Sequence, residues 1–316
     1  MTFPDKPIRI ILPFGPPGFS SRVGFALGPH IAETLGQEIV FEHITGGQGG
    51  ANGPRAAAEA EPDGYSLLMG TIGDIALLPH IMPEYGIDPL TDLTPILKIA
   101  DTPNILIANL SLGVTTLDDL IAAAKANPGS IRYHAINERS IHRLEFKSFI
   151  SETDIVLTEV PPKGGSEGAI EAILDGDIDL TITTGPRLLE SIQAEDVFAI
   201  AAICPERTNV YPYVPTMKEL GLTSTGSGSW MGLFAPAGVP EDIMEALFDA
   251  ARKACTEPDV IAVLAKQAAT VNPSTSPAEA LTFVESETER LRQACMRRVL
   301  PNSMGRRPRG NPGHSA

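Results

Sequence analysis

"IRIILPFGPPGFSSRVGFALGPHIAETLG", Ile8 to Gly36, is the stretch that decides the fold. It begins with a short run rich in β-branched residues, which reads as a buried parallel strand. A loop containing Pro13, Gly15, Pro16, Pro17 and Gly18 follows. The period then changes to that of a helix, with Ser20 and Ser21 at its N-terminal cap and Gly36 at its end. Strand, Pro/Gly loop and helix together open a βαβ unit.

The alternation continues outward. "EIVFEHI" (38–44) and "YSLLMGT" (65–71) read as the second and third strands. "NILIANL", "SIRYHAI", "DIVLTEV", "DIDLTIT" and "VFAIAAI" read as further strands, with "TTLDDLIAAAKANPG" and "SIHRLEFKSFISE" as helices between them. Two amphipathic segments, 240–267 and 276–299, follow. The expected architecture is α/β in two lobes, with the C-terminal helices returning to the first. Residues 301–316 have no apolar periodicity and read as a disordered basic tail.

A chain of 316 residues is long enough for two ordinary domains. Hydrophobic residues at 43% and charged residues at 20% describe a globular chain. The net charge of −15 argues against a nucleic-acid partner. It leaves room for a small anionic ligand, because a buried site makes its own field. No apolar run approaches the roughly 20 residues of a membrane helix. The start, "MTFPDKPIRIILPF", reads as a mature domain opening at its first strand. Either a leader has been removed or the protein stays in the cytoplasm. Cys204, Cys255 and Cys295 form no CxxC pair; free thiols are expected, with a Cys255–Cys295 bridge as the alternative.

"YHAINERSIH", Tyr133 to His142, falls where a strand hands over to a helix. Ligand-binding turns of this kind are usually glycine-rich, because backbone N–H groups must approach an anion. This turn carries His134, Glu138, Arg139 and His142 instead. Arg139 could clamp a carboxylate in a planar fork, or be a solvated arginine paired with Glu138. His142 and Glu145 share a helix face. With His134 and Glu138 they could supply a metal ligand set or an acid–base group, although His134 lies on a strand and the loop would have to curl back. "GGQGGANG" lacks the lysine–hydroxyl pair of a phosphate loop and reads as a turn before Pro54. "GSGSW" is not a nucleophile elbow.

Several stretches, in order, resemble the Bug-type or TctC-type solute-binding receptors of tripartite tricarboxylate transporters. They are "FPDKPIRIILPFGPPG", "GGQGGANGPRAAAEAEPDGYSLLMGTIG", "LIAAAKANPGSIRY", "VPPKGGSEGAIEAILDGDIDL", "ERTNVYPYVPTMKELGL" and "SWMGLFAPAGVPEDIMEAL". The resemblance implies a periplasmic-binding-protein fold: two α/β lobes, a ligand cleft between them, and two hinge crossings near Asp101–Asn104 and Ser224–Trp230. It places residues 1–102 and 229–300 in one lobe and 103–228 in the other. It implies a monomer that closes on a small organic carboxylate and delivers it to membrane permease subunits, with no cofactor or metal. An enzyme on the same fold, using His134, Glu138, Arg139 and His142, is the alternative.

The resemblance points to Phe14, Gly18, Ser20, Ser21, Thr71, Gly73, Asn137, Arg139, Ser140, Thr183 and Thr184 as ligand-binding residues. The departures matter as much. Where the family's first loop usually carries a Thr-Asp pair, this chain has Ser20 and Ser21, so an amine-bearing ligand loses an obvious partner and no preference for amino acids is expected. Gly24 and Phe25 stand where Ala-Arg is usual. After the third strand, Asp74 and Leu78–Pro79 replace Thr and Asn-Pro.

Overall fold

The computed structural model describes residues 3–299 except 17, 137–138, 162–163, 223–225 and 227. The tail at 301–316 and the loop residues Asn137 and Glu138 lie outside the described residues.

In chain order the first elements are β1 (Ile8–Leu12), α1 (Phe19–Leu35), β2 (Ile39–His43), α2 (Asn52–Ala58) and β3 (Ser66–Thr71). A π-turn at Gly73–Leu77 and short helices α3 (Leu78–Ile81) and α4 (Pro89–Asp92) lead to β4 (Leu93–Thr102). Then come β5 (Asn104–Asn109), α5 (Leu117–Ala126), β6 (Arg132–His134), α6 (Ile141–Thr153), β7 (Thr158–Glu159), α7 (Gly165–Leu174), β8 (Leu180–Thr183), α8 (Pro186–Gln193) and β9 (Val197–Ile203). The chain returns through β10 (Ser229–Pro236), α9 (Glu241–Ala254), α10 (Pro258–Lys266), β11 (Thr270–Val271) and α11 (Pro277–Val299).

These elements build two mixed sheets. The first has the order β11-β4-β10-β3-β1-β2 and the second β7-β6-β8-β5-β9. β1 runs parallel to β2 and β3, and β6 runs parallel to β7 and β8. β10 lies antiparallel between β3 and β4, and β5 lies antiparallel between β8 and β9. The sheets are joined at two places: Pro103 between β4 and β5, and the segment between β9 and β10. The crossings touch at Gly228. A Cβ there would lie 2.6 Å from the Ile203 carbonyl oxygen and 3.0 Å from that of Thr102, and its φ is +80°. Only glycine allows that approach.

Each sheet has its own cores. Ile8, Ile10, Leu12, Leu67, Met69 and Leu97 pack with Leu27 and Ile31 of α1 and Leu247 of α9. Leu106, Leu180, Ile182 and Ile200 pack with Phe146 and Phe149 of α6. A further cluster joins the lobes: Ile141 and Leu144 of α6 meet Ile72, Ile75, Trp230 and Leu291. Gly24 and Gly28 of α1 have a plain use. A Cβ at Gly28 would stand 2.6 Å from the Phe41 ring, and one at Gly24 3.2 Å from it. The two glycines make the groove that receives Phe41, and Phe25 packs edge-on to that ring at 4.9 Å.

One expected strand is mostly lost. "DIVLTEV" forms only the two-residue β7, which is exposed at a sheet edge, with Val156 also exposed. The cysteines form no disulfide, Cys204 and Cys255 being buried, and Cys255 and Cys295 are not bridged.

Candidate functional site

The parallel pairings put the ends of β1 and β3 at one edge of the first sheet, and the ends of β6 and β8 at one edge of the second. In open α/β sheets, ligands bind beyond these carboxyl ends. The two edges face each other: the start of α6 packs against Ile72 and Ile75 beyond β3. Arg139 reaches Glu84, in the segment after β3, at 3.0 Å.

At the end of β1 the chain turns on Pro13 and Phe14. The Phe14 carbonyl accepts a hydrogen bond from His43 Nδ1 at 2.8 Å, and its ring lies against Gly50. Gly18 is the N-cap of α1 and makes no side-chain cap bond. Ser20 and Ser21 come next within the first turn. They are fully buried, and neither Oγ has a hydrogen-bond partner among the described residues. The serines therefore do not cap the helix; they place two hydroxyls beside its unsatisfied N–H groups.

At the end of β3, Thr71 turns back on Asp74. The Thr71 amide donates to Asp74 Oδ1 at 2.7 Å, and its hydroxyl donates to the same oxygen. The Tyr85 hydroxyl donates to the Asp74 carbonyl. Asp74 Oδ2 has no partner among the described residues. Burial pushes this carboxyl up to about 7, against the hydrogen bonds from Thr71. Gly73 leaves open space beside Thr71, where a Cβ would meet only the Thr71 hydroxyl, at 3.7 Å.

In the second lobe, His134 is buried at the end of β6, its carbonyl accepting from the Thr181 hydroxyl at 3.1 Å. Ser140 caps α6 by accepting from the Arg143 amide at 3.3 Å. His142 follows in the first turn, buried, with neither ring nitrogen bonded to a described residue. Burial lowers its pKa to about 3, so the ring is neutral and carries one N–H donor. Thr183, at the end of β8, is fully buried, and its hydroxyl has no partner among the described residues. Thr184 instead donates to the Pro103 carbonyl at 3.0 Å and belongs to the hinge.

The structure thus gathers Ser20, Ser21, Thr71, Gly73, Thr183 and the start of α6 at two facing edges. Among the described residues it does not gather His134, His142 and Glu145 into a metal-compatible centre; Glu138 lies outside the described residues. Glu145 turns to the hinge, where both its oxygens accept from Asn104 Nδ2 at 3.0 and 2.9 Å. Burial raises its pKa to about 8. Among the described residues the one group with metal-compatible spacing is His30, Glu257 and Asp259, with ligand atoms within 4.8 Å of one another. There His30 Nε2 already bonds Asp259 at 2.9 Å. Asp74 is the residue that sequence reasoning noted only as a departure. The signal was an acid where the family carries threonine.

The family model described as "Tripartite tricarboxylate transporter family receptor" matches residues 26–298. The chain belongs to this TctC family. Among relatives, it is 30% identical to protein BugT of Bordetella pertussis over 290 residues, covering 92% of this chain and 88% of BugT. A solved periplasmic transporter superposes with a TM-score of 0.81 at 30% identity, covering 94% of this chain and 98% of that one. MatC from Rhodopseudomonas palustris, solved with bound malate, superposes with a TM-score of 0.78 at 26% identity, covering 93% of this chain and all (100%) of MatC. The TctC receptor fold explains the two-lobed arrangement and its paired crossings. No helix among the described residues is long and apolar enough to cross a membrane.

Proposed function

We propose that this TctC receptor works outside the cytoplasmic membrane, captures a small organic carboxylate between its lobes and presents it to permease subunits. One observation carries the reading: buried polar side chains on both facing edges have no hydrogen-bond partner among the described residues. Ser20 and Ser21 supply hydroxyls from one side; Thr183 and His142 supply a hydroxyl and an N–H from the other. Ser20 and Ser21 lie in the first turn of α1 and His142 in that of α6, where the helix dipole favours negative charge. Buried polar groups are normally paired, so such a set fits a solute that completes it. A carboxylate can be neutralised by several neutral donors without a cationic side chain.

The test is a thermal-shift screen against mono-, di- and aromatic carboxylates, followed by calorimetry. A binder at 100 times its dissociation constant should stabilise the protein by about 2.7 kcal/mol. Ser20→Ala together with Ser21→Ala should abolish that gain while the protein still unfolds cooperatively. A screen in which no carboxylate raises the melting temperature would refute the reading.

A further inference from the structure

The sequence has no acid in the loop after β1, where Ser21 stands, so an amine-bearing ligand loses its obvious partner there. The structure brings a different acid to the same edge. Asp74 follows β3, the strand beside β1, and is fully buried. Its Oδ1 takes both hydrogen bonds from Thr71. Its Oδ2 has no hydrogen-bond partner and makes no ion pair with a described residue. Holding the Thr71 amide needs one oxygen, which a threonine hydroxyl could supply. The second oxygen has no structural duty among the described residues. It lies at the same sheet edge as Ser20 and Ser21, which open the helix that follows the neighbouring parallel strand.

We propose that Asp74 Oδ2 accepts a hydrogen bond from the bound solute, so that the site selects carboxylates bearing a hydroxyl or ammonium group next to the carboxylate. This rests on the carboxylate reading above and goes beyond it by naming the second group the solute must carry. The solute carboxylate takes the donors of Ser20 and Ser21, and its neighbouring O–H or N–H group meets Oδ2. Once ionised, above about pH 7, Asp74 is acceptor-only and cannot satisfy a second solute carboxylate in that place, so the comparison belongs at about pH 8. Leaving a buried polar group unpaired is what lets such a site reject the analogue that lacks the donor.

Calorimetry with two matched series decides the matter. Succinate, malate and aspartate share one skeleton and differ by hydrogen, hydroxyl or ammonium; propionate, lactate and alanine repeat the comparison on a shorter one. In at least one series the hydroxyl or ammonium member should bind about 10- to 150-fold more tightly than its plain partner, the range for a charge-assisted hydrogen bond. Asp74→Asn keeps an oxygen for the Thr71 amide and puts an N–H donor in the place of Oδ2. Asp74→Thr keeps the hydroxyl and removes the second oxygen. Both should lose the preference while still binding a carboxylate, with folding checked by circular dichroism. Equal affinities within each wild-type series, or a preference that survives in a folded variant, would overturn the inference and leave the carboxylate reading standing. Failure of all six compounds at millimolar concentration would reject both. Should neither variant fold, the wild-type series decides alone.

Discussion

Asp74 affects the stability of the protein whether or not a ligand is bound. Its carboxyl is raised from 3.8 to about 7 by burial. A folded-state value above the unfolded one means stability that is fully present below about pH 3.8 and is lost as pH rises toward 7. The gap is about 3 units, or about 4 kcal/mol by linkage. Asp74→Asn should therefore gain stability over the wild type on moving from pH 4 to pH 8, measured by urea unfolding; a constant difference between the two chains would show that Asp74 ionises normally. His142 works in the opposite sense, because its pKa falls from 6.5 to about 3 and its contribution is lost as pH drops through that interval. The start of α1 near the serines was legible at the sequence level, since a change of period from strand to helix marks where a helix begins, but Gly18 takes the cap position expected for them. The burial of Asp74 was not. The π-turn at Gly73–Leu77 buries four consecutive residues, Asp74 to Leu77, and so shows neither the helical nor the strand period.

At the scale of elements, α6 links the site to the hinge. Ser140 caps α6 and His142 is buried in its first turn, while Glu145, one turn on, is held by Asn104 at the first crossing. Ser229, at the second crossing, donates to Asn104 Oδ1 at 3.1 Å. Asn104→Ala removes the donors to a buried carboxylate, and the loss should be about 1–3 kcal/mol in denaturant unfolding, larger at pH 9 than at pH 5 because Glu145 titrates near 8. A loss independent of pH would mean that Glu145 is not the group left unpaired. The sequence placed His142 and Glu145 on one helix, and that much was right. Their separation into different tasks depends on Asn104, 41 residues away in the chain from Glu145. Local spacing carries no information about such a partner. The same limit hid the use of Gly24 and Gly28, which only the ring of Phe41 explains.

At the scale of the molecule, Arg139 joins the lobes through Glu84, 55 residues away. Alone, Arg139 suggested a clamp on the ligand. In the structure it spans the cleft to Glu84 at 3.0 Å, and Glu84 is 55% exposed in its side chain. Exposed ion pairs are worth roughly 0–1 kcal/mol. Arg139→Ala and Glu84→Ala should each weaken solute binding by no more than about fivefold, and the double variant no further than either. A hundredfold loss confined to Arg139→Ala would show that the guanidinium holds the solute directly. The contact of the two crossings at Gly228 has a mechanical meaning. Crossings that touch backbone to backbone would act as a single pin, about which the lobes would turn and not slide. Rotation about that pin would move the groups beside it least and the Arg139–Glu84 pair, away from it, further. Opening by such a rotation would leave the bonds between Asn104 and Glu145 in place and would draw its energy from weak contacts such as Arg139–Glu84.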